Sequence, residues 1–410
     1  MACLSGIPKK QEPLICRKEA DAGIYYHYTS LDTLWAVLES ETLRATQACF
    51  SNDSEEVEKG KKLIAEVCNE ICERQLCADT QKFVDYANRL ERDGEEGVDC
   101  YIVCFCKNGD KLSQWRAYCR NDGVSIGFAF DGTQKDYYFA DMPTGNQPGR
   151  NATVYPVWYL HDGAKVFEGQ NIVTRAEVTQ EIIDHVVRIS KLADFQKAKA
   201  SLELTIPLIK NAGFYEEDEY RLLICNSLSA EGGMGPFPLD TYVMTRQDNG
   251  LKNPYINICF GKKYPNKSGS DLEKNEMIDQ QCAVKTIHLY NVSEQLSTLI
   301  RKRFTCMTIY EDDTAGEHTP QIVIGAGQDQ RQWEVFEKVE CVIGEACSDE
   351  ERAKIKIWCD GHLPIRNIRV SPCINQEQVI KSIKHYCKHK KYWLKYVDVI
   401  GSSIPYRRPK

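Results

Sequence analysis

The sequence predicts an α+β fold. Strand-like and helix-like stretches are mixed along it without the regular βαβ rhythm of a doubly wound sheet. No glycine-rich fingerprint sits between a strand and a helix, and IGAGQDQ at 324–330 lacks the spacing, which argues against Rossmann or P-loop binding. The third observation is a compact unit, YIVCFCKNGDKLSQWRAYCRNDGVSIGFAF. It reads as a strand (101–106), an NG turn, a short helix (112–118), an NDG turn and a second strand (124–130).

The bulk numbers fit this picture. The chain has 410 residues, 42% of them hydrophobic and 27% charged, the mixture of a globular protein able to bury a core without staples. A formal net charge of -7 gives no general attraction to nucleic acid or anionic membrane, so any such affinity must come from a local patch. The opening MACLSGIPKKQEPLICRKEA has no apolar core of signal-peptide length, and no later run is long enough to span a bilayer. The 19 cysteines form an odd set without CxxC pairs, which predicts reduced, mostly buried thiols in the cytoplasm rather than a disulfide or zinc framework.

The elements follow in order. After a polar leader (1–23), 24–28 reads as a strand. Ser30 is a natural N-cap, and Leu31, Leu34, Trp35 and Leu38 share one helical face. Residues 43–50 form a second strand, closed by the turn-forming SNDSEE. The pattern is helical from 57 to about 90, with Leu63, Val67 and Ile71 in register. Residues 175–211 read as two helices, the second interrupted at Pro207. EEDEYRLLIC then alternates like a strand, and SLSAEGGMGPFPLD is a loop. The divisions are a core at 24–260 with helical insertions at about 57–95 and 175–211, an insertion or linker region at 261–330, and a C-terminal part at 331–410 carrying a Lys-rich helix. Within the linker region, 262–276 and 311–320 are polar.

Three segments carry the chemistry: His27 with Tyr28, Thr29 and Ser30; Trp115 with Tyr118; and Glu217, Glu219 and Arg221. On a strand the last three point to one face, because side chains alternate. A solvated sheet face is one reading of that pattern. The other is a carboxylate facing an oxocarbenium-like centre, an electrostatic role that needs no proton transfer. Ordinary glycosidases need a second carboxyl to protonate the leaving group. Nicotinamide leaves NAD as a neutral molecule from a cationic ring, so one glutamate, one polar anchor and aromatic walls suffice.

Taken together, YYHYTSLDTLWAVLES with LRATQACFSNDSEE, VCFCKNGDKLSQWRAYCRNDGVSIGF, FYEEDEYRL and VIGSSIPYR resemble the landmarks of a prokaryotic family catalogued as a domain of unknown function. That family resembles ADP-ribosyltransferases, and its opening is similar to the HxT start of the DarT toxins. The resemblance runs from residue 24 to 407 and implies a split, curved sheet of ADP-ribosyltransferase type with helical insertions. It implies that His27 holds the NAD ribose and carboxamide region, supported by Tyr28, Thr29 and Ser30. It makes Tyr118, with Trp115 one turn earlier, the aromatic that stacks on nicotinamide. Glu219 becomes the terminal catalytic glutamate and Glu217 its neighbour near the acceptor, so that Glu219, Glu217, His27 and Tyr118 form the catalytic set. Asn52 and Arg221 join the NAD-contacting residues. Transferases of this fold carry the middle aromatic on a strand or loop, whereas 112–118 here reads as a helix. His27 also has a simpler reading, as a strand-end residue bonded to a neighbouring carbonyl.

Lys381, Lys384, Lys388, Lys391 and Lys395 are spaced as one continuous helical stripe. Such a stripe is either a solvated face or a track for phosphates, with Arg407, Arg408 and Lys410 following in the tail. Lys381, Lys384, Lys388 and Lys391 are the nucleic-acid candidates. His385, Cys387 and His389 lack a partner cluster of matching spacing, so no metal is expected. The expected activity is NAD-dependent transfer of ADP-ribose to a macromolecule, nucleic acid (RNA or DNA) ahead of protein, in a toxin or antiphage effector with a neutralising antitoxin. NAD glycohydrolysis and a catalytically inactive nucleic-acid-binding module of the same fold are the alternatives.

Overall fold

The computed structural model describes residues 23–50, 55–77, 80–92, 100–119, 122–130, 136–140, 150–161, 172–190, 195–225, 243–248, 251–260, 286–304, 309–310, 322–325, 332–373 and 375–405. The fold is α+β, with open sheets and packed helices. Asn52, the polar leader up to residue 22, the 262–276 and 311–320 segments, and Arg407, Arg408 and Lys410 lie outside the described residues. Among the described residues no helix is long and apolar enough to cross a membrane. The chain divides into two compact units, one drawn from Arg44–Phe105 and Thr153–Ile256, the other from Asp21–Leu43, Cys106–Ala152 and Asn257–Lys410.

The first unit is built around two antiparallel helices. The helical pattern from 57 to 90 is two helices, Glu55–Glu73 and Thr80–Arg92, parted by a turn in which Gln75 takes a left-handed φ of 50°. Leu63, Val67 and Ile71 are fully buried among Phe83, Ala87, Ile182, Val186 and Leu202, each worth roughly 1.5–3 kcal/mol of burial. The strand expected over 43–50 stops at Gln47, and Ala48–Phe50 coils into a 3-10 turn. Pro207 does interrupt the second helix of the 175–211 region. That helix, Phe195–Thr205, gives way to a 3-10 turn at Ile206–Leu208, because proline has no N–H to continue the ladder and its ring crowds the preceding turn. The chain then extends as the strand Ile209–Asn211, parallel to Trp158–His161, which in turn pairs with Ile172–Thr174. Gly60 fixes how closely the first helix approaches this corner. A Cβ there would stand 2.4 Å from the Ile206 carbonyl oxygen, so only glycine permits the contact.

The second unit holds a four-strand run in the order Asp398–Gly401, Ile365–Val370, Gly123–Ala129, Ile24–Ser30. Its first two members are parallel, joined through the helix Gln376–Lys390, and the others antiparallel. The first strand runs on to Ser30, two residues past the expected end, so His27 pairs with Ile126 in the middle of the strand and not at its end. Ser30 caps the helix Leu31–Ser40 by accepting from the Thr33 N–H, and Leu34, Val37 and Leu38 form its buried face. A second sheet, ordered Ile309–Tyr310, Ile322–Gly325, Thr286–Tyr290, Lys356–Cys359, is backed by the helices Glu294–Arg303 and Gln332–Ala346. The helix Leu112–Tyr118 has the bounds the sequence predicts.

Candidate active site

Residues 209–221 build the first unit's site from local rules. Asn211 caps the 3-10 turn Ala212–Glu217, its Oδ1 accepting from the Gly213 N–H at 2.8 Å. The turn ends on Asp218 in the left-handed region (φ 47°), a conformation that aspartate tolerates better than bulkier residues, and the strand Glu219–Cys225 starts there. Glu217 therefore belongs to the turn and not to the strand. Only Glu219 and Arg221 alternate along one strand face, and Lys210 gathers Glu217 to them.

The contacts form a closed ionic network. Arg221 Nε donates to Glu219 Oε1 at 2.7 Å and its NH2 to Glu219 Oε2 at 2.9 Å. The same NH2 reaches Glu56 Oε2 at 2.7 Å, and NH1 donates to the Pro207 carbonyl at 2.5 Å. Lys210 Nζ contacts Glu56 Oε1 at 2.6 Å, Glu217 Oε2 at 2.7 Å and Glu219 Oε2 at 3.1 Å. The Tyr159 hydroxyl accepts from the Glu219 N–H at 2.9 Å. Arg221 and Glu219 are only 2% and 7% exposed, so the solvated-face reading fails.

Burial sets the electrostatics. Glu219 would be raised by desolvation, but Arg221 and then Lys210 overcome this and bring its carboxyl down to about 2. Burial works against charge on Lys210 and Arg221 too, yet the carboxylates of Glu219 and Glu56 hold both cations above their ordinary values. Cys104 lies in the same interior, its thiol pushed well up by burial and by the neighbouring Glu219. Three carboxylates (Glu56, Glu217, Glu219) face two cations, leaving one formal negative charge. That charge surfaces at Glu217, whose side chain is 21% exposed. Burial raises its carboxyl, and the attraction of Lys210 offsets this only in part. Glu217 Oε2 is held by Lys210, while Oε1 takes no hydrogen bond among the described residues. Phe214 and Tyr215, on the same turn, are 40% and 37% exposed, and Lys210 Nζ lies 5.0 Å from the Phe214 ring centre.

Glu219 thus differs from a carboxylate open toward a substrate, because both its oxygens are committed to cations. Glu217 is the open one. Glu56, Lys210 and Tyr159 escaped the sequence reading. Lys210 had a signal, a lone charge inside the apolar run TIPLIKNAGF. Glu56 had none, since it sits among the charges of EEVEKGKK.

The remaining expected residues lie in the second unit. The Tyr28 hydroxyl donates to the Asn108 carbonyl at 2.8 Å and accepts from the Lys111 N–H at 2.9 Å. Trp115 is 3% exposed, its ring edge-on to Tyr28 at 4.7 Å, and its Nε1 donates to Asp110 Oδ1 at 2.9 Å. Tyr28 and Trp115 are therefore committed to packing, and neither offers a free stacking face. Tyr118 packs on this cluster while staying half-buried, as His27 and Thr29 do, and Ser30 is exposed. Asp110 also accepts from Ser402 Oγ (2.5 Å), the Ser403 N–H (2.7 Å), Ser403 Oγ (2.8 Å) and Arg369 NH1 (3.4 Å). One carboxylate thereby gathers the Trp115 and SSIP landmarks.

The lysine stripe is not continuous. The helix ends at Lys390, and Lys391 pairs with Glu41 at 3.0 Å and Lys395 with Glu340 at 2.6 Å. Lys381, Lys384 and Lys388 are exposed and make no ion pair among the described residues. His385 and His389 are exposed, whereas Cys387 is buried.

No curated protein and no solved structure matches the chain. Residues 114–222, which run from the residue before Trp115 to the residue after Arg221, match the model of a family described as protein of unknown function (DUF2971).

Proposed function

We propose that this protein is an NAD-dependent ADP-ribosyltransferase that modifies a nucleic acid, on a split, curved sheet of ADP-ribosyltransferase type. The observation that carries the reading is Glu217, an anionic side chain anchored by Lys210 through one oxygen and open at the other, beside two exposed aromatic rings. Burial penalises its ionised form, so a positive centre arriving at the open oxygen relieves that penalty most in the transition state. The oxocarbenium ion left by departing nicotinamide is such a centre. Glu219, Arg221, Lys210 and Glu56 fix the carboxylate in place before substrate arrives, and preorganisation of this kind is worth more in a water-poor setting than in water. Phe214 and Tyr215 supply flat faces for a ring of the substrate.

The landmarks at His27, Tyr118 and 217–221 support the choice of NAD over other glycosyl donors by their resemblance to ADP-ribosyltransferases. It is that resemblance alone which assigns NAD-contacting roles to His27, Thr29, Ser30 and Tyr118. The setting is the cytoplasm, consistent with the free cysteines found among the described residues, and the biological role is that of a toxin or antiphage effector held by an antitoxin. Incubation of the protein with adenylate-labelled NAD and separated cellular RNA, DNA and protein tests the reading. Nicotinamide release with label in RNA or DNA, lost in Glu217→Gln, is the expected result. Label in free ADP-ribose alone replaces transferase by NAD glycohydrolase. No nicotinamide release by the folded protein with any fraction refutes the NAD reading.

A further inference from the structure

We propose that the exposed face of the Gln376–Lys390 helix is a docking surface for single-stranded nucleic acid. The inference names where the acceptor of the proposed reaction is held; it rests on that reading for its purpose, though not for its test. Lys381, Lys384 and Lys388 follow each other at steps of three and four residues and so share one face, spanning about 10 Å of helix, enough to meet two or three consecutive phosphates. All three are exposed, and none makes an ion pair among the described residues.

That absence is informative in this chain. Its acidic residues outnumber its basic ones, 59 to 52, and the neighbouring Lys391 and Lys395 are both neutralised, by Glu41 and Glu340. Three successive open lysines are a local reversal of the field. Next to Lys384 and Lys388 in the chain stand two exposed imidazoles, His385 and His389, with ring centres 4.5 Å apart and planes tilted by 44°. Cations for the backbone interleaved with flat rings for bases are what a single strand requires, since its bases are splayed and can stack on side chains. A duplex hides those faces. A membrane surface fits poorly, because the helix's buried apolar residues, Ile383 and Cys387, face inward, and the exposed face has nothing to insert into lipid.

Fluorescence anisotropy with a labelled oligothymidylate and a duplex of the same length, using the Glu217→Gln protein without NAD, tests the proposal. Three phosphate contacts predict a log–log salt slope of about −2 on a single strand, or roughly 18-fold weaker binding between about 50 mM and 200 mM salt. The triple change Lys381→Gln, Lys384→Gln, Lys388→Gln should bring the slope close to zero. Each single change should lower it by about 0.7, so the proposal does not depend on the triple variant folding. His385→Ala with His389→Ala should keep the slope and weaken single-strand binding more than duplex binding. An unchanged slope in folded lysine variants overturns the proposal, as does a duplex bound as tightly as the strand, or equal competition by a polyglutamate peptide. Strand binding together with no nicotinamide release by the native protein refutes the transfer reading and leaves this surface standing. Nicotinamide release without strand binding does the reverse.

Discussion

Arg221 grips Glu219 from two residues along the same strand, Nε to Oε1 at 2.7 Å and NH2 to Oε2 at 2.9 Å, and both side chains are buried. The strand's alternation puts them on one face, and the planar guanidinium matches both carboxylate oxygens at once. The same guanidinium also satisfies Glu56 and the Pro207 carbonyl. Its removal would strand two buried carboxylates with Lys210 as their one cation.

Arg221→Leu is therefore expected to cost about 3–5 kcal/mol, the penalty of breaking a buried pair from one side. Arg221→Lys should recover little, because an ammonium cannot make the two-pronged contact. Urea denaturation of each variant measures this. A loss below about 1 kcal/mol in Arg221→Leu would mean that the network is hydrated and worth no more than a surface pair.

Acid should dismantle the same network. The Glu219 carboxyl is depressed from 4.5 to about 2 in the fold, so its contribution is fully present above the unfolded value and is lost as pH falls from there through about 2. Stability of the native protein should drop across that window, and Glu219→Gln should flatten the drop while lowering stability at neutral pH. Denaturation midpoints collected from pH 2 to 7 test it; parallel profiles for the two proteins would contradict the assignment.

Much of this was legible in the sequence, and the failures have physical causes. The Ser30 cap, the Leu112–Tyr118 helix and the Pro207 break follow from local chemistry and stand as expected. Glu217, Glu219 and Arg221 were found, but with Glu217 placed on the strand, because a left-handed Asp218 carries no alternation signal. The partners were beyond reach of pattern. Glu56 is 165 residues from Arg221 in the chain, and it reaches the network because glycine at position 60 lets its helix touch the Ile206 backbone. Trp115 read as an NAD contact beside Tyr118 because its burial is decided in part by Tyr28, far away in the chain, which local spacing does not reveal.

Under the proposed activity, Glu217→Gln separates catalysis from stability. Burial raises the Glu217 carboxyl, so its charge is a burden that grows as pH rises through the folded value, and a neutral isostere removes that burden. The melting temperature at neutral pH should hold steady or rise, while nicotinamide release falls on the order of 10²–10³-fold, the scale of losing one preorganised electrostatic contact. In the native protein, release should decline as pH falls and the carboxyl is protonated. Full release by a stable Glu217→Gln protein would remove this residue from the mechanism.

The second unit offers a contrast between packing and binding. Asp110 takes five contacts, from Trp115, Ser402, Ser403 (twice) and Arg369, and these hydrogen bonds hold its carboxyl below the ordinary value although burial works the other way. Asp110→Ala should leave those donors unmatched and cost about 2–3 kcal/mol, and Trp115→Ala, which also empties a packed ring site, about 3–5 kcal/mol. Ser402→Ala removes one donor and should cost about 1–2 kcal/mol. Tyr118 stays half-buried at the cluster's edge, so Tyr118→Ala should cost less stability than Trp115→Ala and, under the proposed activity, mainly weaken NAD binding. Melting curves beside calorimetric titration with NAD resolve the two roles. If Trp115→Ala melts like the native protein while its NAD affinity collapses, the tryptophan is a ligand contact after all and the reading of Asp110 as its anchor fails.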